Sequence, residues 1–64
     1  MLKLYQIEKG SKILIDGEEI VFHHIEGAYS YCRSKSGIVH LSASTPLVKV
    51  NGHYEIDDMQ TSWR

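Results

Sequence analysis

Apolar and polar residues alternate along this chain in short runs, and each run stops at Gly, Asn, Asp or Ser. The apolar members are mostly β-branched or aromatic, a pattern of strands separated by tight turns. Leu2 to Ile7 predicts a first strand with Leu2, Leu4 and Gln6 on one face. Glu8-Lys9-Gly10 turns the chain into a second strand, Ser11 to Ile15, with Ile13 and Ile15 on one face and Leu14 on the other. Asp16-Gly17 is a hairpin signal, because glycine takes positive φ without steric cost. Glu19 to Ile25, Ala28 to Ser34 and Ile38 to Ala43 follow, punctuated by Gly27 and by Lys35-Ser36-Gly37. Ser44-Thr45-Pro46 makes a corner, with Pro46 unable to donate to a central ladder. Leu47 to Val50 and His53 to Ile56 close the domain as a hairpin around Asn51-Gly52.

Short strands with turns at such regular spacing predict an all-β fold. Sixty-four residues are too few for a seven-stranded sandwich. The expectation is therefore a five- to six-stranded antiparallel barrel, strongly bent, over residues 1–56. Closure would also remove exposed strand edges. Residues 57–64 are read as a polar C-terminal tail or helical turn. Met59 and Trp63 would share one face of such a turn, with Trp63 anchoring on this domain or on a second subunit.

The layout resembles the SH3-like small barrels, including the Tudor and KOW groups. Ile15-Asp16-Gly17-Glu18-Glu19-Ile20-Val21-Phe22 looks like their early hairpin, and Gly37-Ile38-Val39-His40-Leu41 like a following strand. There is a looser similarity of style to the small accessory proteins of tailed bacteriophages.

The closing hairpin admits two registers. A two-residue loop pairs Val50 with His53 and Lys49 with Tyr54. A three-residue loop with a left-handed Gly52 pairs Val48 with Tyr54 and Lys49 with His53. The second gathers Val48, Tyr54 and Ile56 on one face and is preferred, with His53 outward and Tyr54 in the core.

Composition narrows the setting. A domain this short buries a modest fraction of its surface, so self-association is expected to help stabilise it. Cys32 is the only cysteine, so no disulfide forms within the chain, and a lone thiol suits a reducing, cytoplasmic location. The apolar stretches of Met1 to Ile7 are broken by Lys3 and Gln6 and do not read as a signal peptide or membrane span. The net charge of −1 lacks the basic excess typical of nucleic-acid binders.

The candidate chemistry is sparse. His23 and His24 are adjacent, so a regular strand points them to opposite faces, and only a bulge could bring both to one site. One of them with His40, His53 and Cys32 would offer zinc-type ligands, yet no ligand-pair spacing supports that, and no metal or cofactor is expected. Cys32 reads as an inert core thiol rather than a nucleophile, and Ser42, Ser44 and Thr45 as turn caps, so enzymatic activity is not expected.

Tyr29 and Tyr31 share a face, opposite Ala28, Ser30 and Cys32. If the small residues face inward, Tyr29, Tyr31 and Arg33 form an exposed stripe of the residue types enriched at binding hot spots. If they face outward, the tyrosines are core; the sequence leaves both open. The binding residues expected on the first reading are Tyr29, Tyr31, Arg33, Lys35, Lys49, His53 and Trp63. The acidic run Asp16, Glu18, Glu19 would then make the molecule polar end to end. The expected function is non-enzymatic protein binding, as an adaptor or inhibitor. A barrel using Arg33, Lys35 and Lys49 on nucleic-acid phosphates is the second reading, and an oligomer sequestering a small ligand the third.

Overall fold

A computed structural model describes residues 2–57, which form one seven-stranded mixed sheet. The strands are β1 (Leu2–Lys3), β2 (Lys12–Ile15), β3 (Glu18–Glu26), β4 (Tyr29–Ser34), β5 (Gly37–Val39), β6 (Pro46–Val50) and β7 (His53–Ile56). Their order across the sheet is β1-β6-β7-β2-β3-β4-β5. All pairings are antiparallel except β2 with β7, where Ile13 faces Tyr54 and Leu14 faces Glu55. The fold is all-β, as the alternation predicts. The expected count of five to six strands and the barrel closure are both corrected: among the described residues there are seven strands, and no ladder joins the two edges.

The reason for the open sheet lies in its edge strands. Leu2–Lys3 is short because the chain turns into a 3-10 turn at Leu4–Gln6 instead of continuing as a strand. The Gln6 side chain stabilises that turn by accepting the Lys3 N–H at 2.8 Å. Leu4 is thereby buried and Tyr5 exposed. The predicted strand Ile38–Ala43 likewise shortens to Gly37–Val39. Residues 40–45 then bridge the ends with single backbone bonds. Ala43 N–H donates to Ala28 O at 2.9 Å, Tyr5 N–H to Ala43 O at 3.1 Å and Leu4 N–H to Thr45 O at 2.9 Å. The hydroxyls cap this corner as predicted, with Thr45 Oγ1 donating to Ser42 O at 2.7 Å.

The core consists of Leu4, Ile7, Ile13, Ile20, Phe22, Cys32 and Leu47, flanked by half-buried Ile15, Ile25, Val39, Leu41, Tyr54 and Ile56. Strands β2 to β7 send residues from one face into this core, so the opposite face of β3, β4 and β5 is left to solvent.

The preferred register of the closing hairpin is also corrected. Lys49 pairs with Tyr54 and Val50 with His53 across a two-residue loop. Asn51 and Gly52 both have positive φ, +48° and +91°, as a type I′ turn requires. A bulged loop needs left-handed geometry only at Gly52, whereas asparagine tolerates it too. This register buries Leu47 opposite Ile56 and leaves Val48 44% exposed opposite Glu55. It sets Lys49 beside Tyr54, where the ammonium sits 5.8 Å from the ring centroid. Tyr54 packs against the core as expected, while His53 is half-buried and bonded to Glu55, not set against Lys49.

Candidate functional site

The outer face of β3 and β4 carries the chemistry, and the inner residues of β4 explain why. Ser30 is 1% exposed and Cys32 fully buried. Ser30 Oγ donates to Leu41 O at 3.0 Å, accepts Leu41 N–H at 3.1 Å and contacts Cys32 Sγ at 3.3 Å. A hydroxyl with that many partners is stable in a core. Period-two alternation then turns Tyr29, Tyr31 and Arg33 outward, with Tyr29 58% exposed. Of the two orientations that the sequence permits for this strand, the structure adopts the one with small residues inside. Ala28 departs from that pattern: it lies exposed in the preceding turn.

The histidines change most. The register between β3 and β4 slips between Phe22 and His24: Phe22 faces Cys32, and His24 faces Tyr31. His23 is the extra residue of a β-bulge, a device that re-aims side chains. The two rings, expected on opposite faces, come together with Nδ1 atoms 2.7 Å apart. His24 stacks on Tyr31 at 5.1 Å and 15°. His23 and His40 approach the same tyrosine edge-on, at 6.1 Å and 5.6 Å. Tyr31 is thus the hub of three imidazoles.

A signal for this bulge lies in the sequence. The inward residues of β3 are Ile20, Phe22 and Ile25, and the step from 22 to 25 is one residue too long for an unbroken strand.

The proton positions follow from the partners. His24 Nε2 lies 3.1 Å from Glu26 Oε2 and donates to that carboxylate. In the neutral pair His24 Nδ1 is therefore an acceptor, and His23 Nδ1–H donates to it. The His23 Nε2 lone pair is left bare. His40 Nδ1 donates to Ser30 O at 3.0 Å. The His23 pKa is lowered, first by loss of water around the ring and then by the positive charges of Lys9, His24 and Arg33. Lys9 reaches this spot because Gly10 N–H donates to Phe22 O at 2.9 Å, laying the turn before β2 beside the bulge.

Of the predicted binding residues, Tyr29, Tyr31 and Arg33 share this face, and Lys35 sits in the turn that follows. Val21 and Ile38, both exposed, flank Arg33 in register. Lys49 and His53 belong to the β6–β7 hairpin, with β7, β2 and β3 between β6 and β4 in the sheet. They are not brought into the stripe by strand order. Trp63 and Met59 lie outside the described residues. Cys32 is buried away from the histidines' face, and among the described residues no group of three His, Cys, Asp or Glu is arranged to hold a metal ion. A cleft of about 240 Å³ lies against β2 and the Asn51–His53 turn, with Lys12 and Glu19 3.8 Å apart on its wall. No helix among the described residues is long and apolar enough to cross a membrane.

Compared with protein-family models, curated proteins and solved structures, the chain matches none of them.

Proposed function

We propose that this protein is a non-enzymatic docking module that binds another protein through the outer face of β3, β4 and β5. One observation carries the proposal: a packed ring cluster around Tyr31 sits beside an exposed Tyr29 and Arg33, flanked by exposed Val21 and Ile38. Aromatic and arginine groups with an apolar border have the composition of an interface centre. Pre-ordering of the rings lowers the entropy lost on binding. Adaptor or inhibitor action, self-association and the likeness to SH3-like barrels belong to the same proposal, the last resting on hairpin layout alone.

The face suits protein better than nucleic acid. One side of the Tyr31 ring is already occupied by His24, so Tyr29 is the freer platform for a base. Lys49 stands on a different part of the sheet from Arg33 and Lys35.

The test is affinity capture from the native host with the wild-type chain and with Tyr29→Ser. Tyr29 is exposed, so thermal melting should be unchanged. Loss of about tenfold or more in the captured partner is expected for a hot-spot tyrosine. Undiminished capture by Tyr29→Ser would reject the face.

A further inference from the structure

The charges around the bulge are unbalanced. Glu26 is engaged by His24, and Glu19 is within 3.8 Å of Lys12. Lys9 and Arg33 form no ion pair among the described residues. The backbone lays both beside the bulge, Lys9 on the turn before β2 and Arg33 on β4, where it pairs with Val21, and both charges act on His23. His23 itself turns Nδ1 toward His24, which leaves Nε2 on the far edge of the ring, away from the pair.

We infer that His23 Nε2, Lys9 and Arg33 form a carboxylate-recognition point for an acidic segment of the docking partner, and that binding there takes up a proton. The inference rests on the docking face proposed above and names the partner chemistry that it fits.

The proton bookkeeping is set by the 2.7 Å Nδ1–Nδ1 contact. One proton fits between those two nitrogens and a second does not, since two N–H groups would then point at each other. The next proton taken up goes to His23 Nε2. From there it can be donated, with the Lys9 and Arg33 groups, to one carboxylate.

The charged and titratable groups that face His23 are Lys9, Arg33, His24 and, through the rings, Tyr31. Glu26 acts through His24, and His40 lies beyond Tyr31. Lys9, Arg33 and His24 oppose the proton when the site is empty. A bound carboxylate offsets that repulsion and favours it. Affinity therefore rises as pH falls toward the ordinary histidine range, about pH 6.5.

An acidic protein segment is favoured over nucleic acid. Lys9, Arg33 and His23 complement a carboxylate locally, while the Tyr31 ring face that a base would stack on is already taken by His24.

The experiment follows the His23 ring by NMR pH titration of the whole chain, alone and with hexaglutamate, hexalysine or a short oligothymidine. The expected result is that hexaglutamate raises the His23 pKa and that hexalysine does not. Affinity for hexaglutamate should fall as pH rises from about 6 to about 8. Arg33→Gln and Lys9→Gln should each weaken it about two- to fivefold, the scale of one exposed ion pair. Both positions are exposed, and an unchanged amide spectrum elsewhere checks the fold. A His23 that ignores hexaglutamate, a response undiminished in both variants, or a response to oligothymidine alone would overturn the inference. If partner capture depends on Tyr29 while His23 ignores hexaglutamate, the docking face stands and only the acidic segment is lost. Capture that ignores Tyr29 rejects the face itself.

Discussion

At the residue scale, Ser30 and His23 decide what the outer face presents. Ser30 is small and polar enough to fill an inner position while bonding to Leu41, and that allows two neighbouring tyrosines to turn out. Alternation made this stripe visible in the sequence, but not its direction, because serine and tyrosine both occur on either side of a sheet. Period-two alternation sets His23 and His24 on opposite faces, and only an inserted residue brings the two rings together. The depressed pKa of His23 has a consequence for stability. Above the ordinary histidine value of about 6.5 both the folded and unfolded forms are neutral there, and His23 contributes nothing. As pH falls through that value the unfolded chain takes the proton first, so stability is lost. The pH dependence of the urea midpoint between about pH 7.5 and pH 5.5 should be steeper for the wild type than for His23→Gln. Equal slopes would mean that the crowding at the bulge does not disfavour the imidazolium.

At the element scale, the hairpins were the most legible part of the fold. Asp16-Gly17 and Asn51-Gly52 each turn the chain in two residues with positive φ at both, joining Ile15 to Glu18 and Val50 to His53. The sequence marked both turns. What it did not mark was the register of the second, because neither register puts every apolar residue of β6 and β7 on one face. The backbone of Asn51 settles it, together with the Lys49 ammonium set over the Tyr54 ring. Replacing Gly52 with alanine places a Cβ at φ +91°. Nothing lies within 4 Å of that Cβ, so the effect is purely conformational. Gly52→Ala should lower stability by about 1 kcal/mol, read from denaturant unfolding with unchanged m. The short outer elements were the least legible. Leu2 to Ile7 alternates like a strand, yet Gln6 bonds back to Lys3 and draws the chain into a turn.

At the scale of the whole molecule, two antiparallel units meet along the parallel β2–β7 pair. One is the β2–β3–β4–β5 meander and the other the β6–β7 hairpin with β1 at its edge. No short motif announces such a pairing, because its partners are far apart in sequence and a strand's own residues do not specify which neighbour it takes. Ile13 stands at this junction, fully buried and facing Tyr54. Ile13→Ala should cost about 2–5 kcal/mol, against a total of about 5–15 kcal/mol for ordinary domains. For a chain this small, the expected outcome is loss of cooperative thermal unfolding by circular dichroism. A sharp transition near the wild-type temperature would place the structural junction elsewhere.

That junction also sets a timetable. β2 pairs with β3 across a two-residue turn, whereas its other edge waits for a strand about forty residues further on, so a partly folded chain holds the hairpin with that edge bare. A bare strand edge pairs with whatever strand it meets. At high protein concentration, the nearest candidate is another partly folded copy. The interval before His53–Ile56 docks on β2 is thus when this fold is most exposed to misassembly, and the parallel pairing is what ends it.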